Sequence, residues 1–195
     1  MPYRGFALSV LAAITLAACL VPEKFTAKVE FHPDASYDYQ FVGTASNPLG
    51  LMELRQHGSI SARTEFALKN DGDRMPKLMD VTSARYLGNA RYDLSIAGHR
   101  KPGEASHLID ILSVVSGKDG TITVSTTPLK DQDRQELAAL GIKMDGTLEI
   151  KLPSNANVIS QNAQSVPSLF GTAGSYTWKI GAPDQRPLIR FKFGK

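Results

Sequence analysis

The sequence predicts an α+β protein, a mainly antiparallel β-sheet built from hairpins with two or three short helices packed on it. Three observations carry this. Apolar and polar residues alternate with a period of two in several separate stretches, as half-buried strands require. Turn-forming Pro, Gly, Asn and Asp fall between consecutive stretches at hairpin spacing. Helix start and stop signals bracket only a few short segments.

Taken in order, Phe25, Ala27, Val29 and Phe31 alternate with Thr26, Lys28, Glu30 and His32. Pro33-Asp34-Ala35 supplies a turn, and Tyr37, Tyr39 and Phe41 share one face of a returning strand. Asn47-Pro48 reads as an N-cap followed by proline at the first helical position, and Gly58 as a stop. The short helix between them, over 48–57, carries Leu49, Leu51, Met52 and Leu54; it either covers the core or borders a cavity. Ser61 can cap a second helix with Phe66 and Leu68, interrupted by Asn70-Asp71-Gly72 and Pro76. Gly88-Asn89 joins a hairpin of Ala84/Tyr86 and Tyr92/Leu94/Ile96. A strand over Leu108–Val115 turns at Lys118-Asp119-Gly120 and returns through Thr121–Thr126. Asp131–Leu140 forms a helix with acidic residues at its start and Gly141 at its end. Three further strands hold Leu148/Ile150/Leu152, Tyr176/Trp178/Ile180 and Ile189/Phe191/Phe193.

The chain has 195 residues, 42% hydrophobic and 21% charged, enough for one domain with a real core. No linker divides 19–195, which reads as a single envelope domain with a short N-terminal tether. A formal charge of +3, dispersed along the chain, argues against nucleic acid as a partner. The one cysteine excludes an internal disulfide, so the core rests on packing.

That cysteine, Cys19, closes a leader. Arg4 precedes an apolar run from Phe6 to Ala18 that ends in small residues, the order of a secretory signal over 1–18. Leu16-Ala17-Ala18-Cys19 resembles the bacterial lipobox. The resemblance implies cleavage before Cys19, a diacylglyceryl group on its thiol, and a membrane as partner through that lipid anchor. Two acyl chains meet the need for two signals in stable anchoring. The alternative is an uncleaved membrane helix; the uncharged stretch from Gly5 to Val21 falls short of the roughly 20 residues a span requires. Leu20 stands where an inner-membrane retention signal commonly places aspartate, which points to the periplasmic face of the outer membrane.

No catalytic constellation emerges. His32, His57, His99 and His107 are scattered and none has metal-ligand spacing, so they read as structural or solvent-facing. Asp71-Gly72-Asp73 lacks the later ligands of a calcium loop and reads as a turn. Nucleophile elbows and phosphate-cradling loops are absent from the sequence. The expectation is therefore no enzyme, no catalytic residue, no metal and no cofactor. The aromatic faces (Tyr37, Tyr39, Phe41, Trp178, Phe191, Phe193) can fill a core or line an apolar cavity. Arg190 and Lys192 read as a solvated strand face, with anionic lipid headgroups as the other use of such a pair.

The opening Val29-Glu30-Phe31-His32-Pro33-Asp34-Ala35-Ser36-Tyr37 and the closing Asn157–Ala163 followed by Tyr176-Thr177-Trp178-Lys179-Ile180 resemble the corresponding patterns of LppM-domain lipoproteins. Ala35 and Ala163 replace glycines of that pattern, and 164–175 is an insertion. The resemblance implies an α+β envelope domain that binds lipid or glycolipid and has no catalytic residues to transfer. Two partner classes thus stand open: a lipid or other apolar ligand, and a protein of an envelope complex served by a structural lipoprotein.

Overall fold

A computed structural model describes residues 20–78, 80–108, 112–126, 130–168, 174–182 and 185–194. The leader and Cys19 lie outside the described residues. The first hairpin forms where alternation predicts it. β1 (Val21–Phe31) buries Phe25, Ala27, Val29 and Phe31, and β2 (Tyr37–Ser46) buries Tyr37, Tyr39 and Phe41. Their tight turn is set by Asp34, whose carboxylate accepts from Ser36 N at 3.0 Å and Ser36 Oγ at 2.6 Å. Ala35 there adopts φ +69°, the conformation for which glycine is the usual choice. β1 begins before the alternation does, because a bulge between Pro22 and Phe25 carries the strand past Pro22.

The helices follow. α1 (Pro48–His57) is capped by Asn47, whose side chain accepts from Gly50 N, and ends at Gly58 with φ +72°. α2 (Ala62–Arg74) starts at Ser61. The sequence predicts a break at Asn70-Asp71-Gly72, and the helix runs straight through it. Gly72 is buried in the last turn of the helix, on a face that packs on Tyr86 and Tyr92, so tertiary packing outweighs its low propensity. The turn read at Asp71-Gly72-Asp73 is therefore corrected to helix, and the chain leaves it through a 3₁₀ turn at Met75–Lys77. Of the two apolar residues placed on this helix, Leu68 is buried and Phe66 is 74% exposed.

β3 (Val81–Gly88) and β4 (Arg91–Arg100) form the second hairpin. The strand predicted over Leu108–Val115 is two strands: β5 (Ser106–Leu108) and β6 (Leu112–Ser116) pair antiparallel, so the chain reverses between them. A lone Asp110 among the apolar residues 108–112 is too weak a signal to mark such a reversal. β7 (Ile122–Thr126), α3 (Asp131–Ala139), β8 (Asp145–Lys151), β9 (Ala156–Gln161), β10 (Tyr176–Ile180) and β11 (Leu188–Phe193) complete the order.

The fold is α+β, with the strands in two sheets. One runs β10-β8-β1-β2-β4-β3, the other β5-β6-β7-β11-β9. Neighbours are antiparallel except β1 and β8, which pair in parallel from Lys24↔Asp145 to Glu30↔Lys151. Both sheets feed one hydrophobic cluster, and the Phe31 ring meets Phe191 edge-on at 4.9 Å between them. The six-stranded sheet turns its other face to solvent.

Candidate functional site

That outer face is a register-aligned polar ladder. Because side chains alternate, burying Val29, Phe31 and Tyr39 forces Lys28, Glu30, Asp38 and Gln40 outward. Neighbouring strands then match opposite charges: Lys28 Nζ lies 3.4 Å from Glu149, and Lys151 Nζ lies 2.7 Å from Glu30. Exposed pairs like these contribute little stability, about 0–1 kcal/mol each.

At the β1–β2 turn the ladder changes character. Asp38 is directly cross-strand from His99 of β4, while His32 follows β1 diagonally. The His32 Nε2 to Asp38 Oδ2 distance is 2.8 Å, and the His99 Nδ1 to Asp38 Oδ1 distance is also 2.8 Å. The two imidazoles lie near-parallel, centroids 6.3 Å apart. Hydrogen bonds from His99 first and His32 second hold the Asp38 carboxyl below its ordinary pKa, so it is an ionised acceptor between two donors. Beside it an open depression of about 500 Å³ is lined by Lys28, Glu30, Asp38, Gln40 and Ala97 among others. Sequence spacing missed this cluster: His99 stands 61 residues from Asp38, and only strand pairing brings them together.

A second polar cluster sits on the other face. Asp80 accepts from Tyr39 Oη at 2.5 Å and from Arg100 Nη2 at 2.5 Å, and Arg100 stacks over the Tyr39 ring at 5.0 Å. Burial first, and Asp80 next, pushes the Tyr39 hydroxyl up to about 12. A Cβ on Gly98 would stand 2.5 Å from Tyr39 Oη and 2.7 Å from Asp80 Oδ1, so this glycine makes room for the cluster. With its groups engaged by each other, the cluster is a structural clamp.

The other predicted residues are placed as follows. In α1, Leu51 enters the core while Leu49 and Met52 stay about 40% exposed. Tyr37, Tyr39, Phe41, Trp178 and Phe191 are buried, with ring contacts such as Phe25–Phe41 at 5.5 Å and Phe31–Tyr37 at 5.0 Å. His57 is exposed at the end of α1, and His107 lies in β5 opposite Ser113. Arg190 is exposed, and Lys192 pairs with Asp119 at 3.1 Å. Asn162 joins strands: its Oδ1 accepts from Trp178 Nε1 at 2.9 Å and from Leu188 N at 2.8 Å.

No protein-family model and no curated protein matches the chain. Among solved structures, the folded domain of the Mycobacterium tuberculosis protein LppM, determined by NMR, is similar at 12% identity and a TM-score of 0.42. The match covers 91% of this chain and 93% of that one. At that identity and score it transfers no residue and no activity.

Proposed function

We propose that this chain is a lipid-anchored envelope domain, held to the membrane by a diacylated Cys19 and acting through its folded surface without catalysis. One observation carries the reading: only Leu20 lies between Cys19 and the first residue of β1. Leu20 and Val21 both pack against the hydrophobic core. They are spent on the domain, which shortens further an apolar leader already a little short of the roughly 20 residues of a span. Among the described residues no helix is long and apolar enough to cross a membrane. A lipid on Cys19 needs no spanning length, and it fits a leader that runs straight into a strand.

Of the two partner classes, a protein of an envelope complex is the better supported. Of the aromatic side chains that could have lined an apolar cavity, Tyr37, Phe41 and Phe191 are packed ring against ring. The ligand class remains the second reading because α1 keeps Leu49 and Met52 partly open. Leu20 after the cysteine favours the outer membrane.

Native mass spectrometry of the full chain, released from membranes in detergent, tests both points. The expected mass is that of a chain starting at Cys19 with a diacylglyceryl adduct, lost in Cys19→Ser. An unmodified cysteine, or a retained leader, would overturn the anchor. A reproducible, non-covalent lipid adduct would replace the protein-partner reading with the ligand one.

A further inference from the structure

We infer that His32, Asp38 and His99 form a site for one divalent transition-metal ion, with zinc as the probe. The three residues come from three chain segments joined by strand pairing, and each offers one ligand atom. Those atoms all lie within 4.8 Å of one another. Around a tetrahedral ion with bonds of about 2.0–2.1 Å, donors stand roughly 3.3 Å apart. Closing that gap needs only small side-chain rotations, and the side chains are free to make them at 37%, 55% and 57% exposure. The strands beneath do not have to move.

The donor set selects the ion. Two imidazole nitrogens and one carboxylate suit zinc and its first-row neighbours. Calcium and magnesium take oxygen ligands and would find one carboxylate here. Glu30, the next carboxylate on this face, is tied to Lys151 at 2.7 Å and is not needed. Three protein ligands leave a fourth position open to water or to a donor from a partner. On binding, the ion takes the ring nitrogens that now face Asp38, and each neutral imidazole, exchanging its proton with water, carries it on the other ring nitrogen. The negative carboxylate stays, now on the metal.

The site is independent of the anchor, and its test keeps the two apart. The full chain, without a histidine tag and purified in detergent, is titrated with zinc after chelation. The expected result is one saturable equivalent, weakened about tenfold or more by His32→Ala and by His99→Ala. His57→Ala, an exposed histidine outside the cluster, should leave it unchanged. Zinc should raise the Tm of the parent chain and of His57→Ala but not of the two cluster variants. X-ray absorption of the one-to-one complex should show nitrogen and oxygen neighbours at about 2.0–2.1 Å with imidazole scattering. No saturable binding, equal affinity in either cluster variant, or a sulfur neighbour at about 2.3 Å (the Cys19 thiol) would each overturn the site.

Discussion

Asp80 holds φ +71° while its carboxylate takes hydrogen bonds from Tyr39 and Arg100. Asparagine tolerates the same backbone conformation, so Asp80→Asn isolates the loss of charge. Hydrogen bonds to charged groups contribute about 1.5–3 kcal/mol, and the variant should be destabilised by roughly that at pH 7. The Arg100 hydrogen bond, opposed by burial, holds the Asp80 pKa below its ordinary value. Its contribution is therefore complete above the unfolded value of about 3.9 and is lost as pH falls through the folded one. Urea melts at pH 7, 5 and 3 should show the parent and Asp80→Asn converging only at the acid end. None of this was legible in sequence. Asp80 reads there as a polar residue before a strand, and its partners come from β2 and β4.

At the scale of the element, local signals succeeded where the chain's own chemistry decides the outcome. Asn47, Pro48 and Gly58 bracket α1 because capping involves atoms only a few residues apart. They failed at α2, where Gly72 looks like a breaker but faces Tyr86 and Tyr92. A Cβ at Gly72 would meet these at 3.4–3.5 Å, ordinary contact distance, and the helical backbone suits any residue. Gly72→Ala should thus stabilise the protein, by about 0.5–1 kcal/mol, through a less flexible unfolded chain. Thermal melts would check the sign; a lower Tm would mean that the tyrosine face cannot give. The β5–β6 reversal was illegible for a related reason: one aspartate, Asp110, between apolar neighbours does not by itself reveal where a strand folds back.

Across the whole molecule, the alternating strands and the α+β class were legible, because burial on one face imposes a period of two. The division into two sheets and the parallel β1–β8 pair were not, since both depend on contacts far apart in sequence. The same holds for the His32–Asp38–His99 cluster, whose members read one by one as solvent-facing residues. Asn162 shows how the halves are joined. Its amide oxygen serves Trp178 of the six-stranded sheet and Leu188 of the five-stranded sheet together. Asn162→Ala would leave the indole N–H of a buried tryptophan without its partner, at a cost of about 1–3 kcal/mol. The expected outcome is a lower urea midpoint, with tryptophan fluorescence and far-UV circular dichroism moving together; separate transitions would mean that the sheets unfold independently.

β1 is an interior strand, zipped to β2 on one side and to β8 on the other. Under the proposed anchor on Cys19, a pull on the chain just before Val21 arrives along that strand. The load runs parallel to the strand and at right angles to its hydrogen bonds, so both ladders are sheared at once. An edge strand loaded in the same direction would be held by one ladder only. The fold thus gives the end of the domain that follows Cys19 the grip of a lap joint, and mechanical endurance follows from the position of one strand.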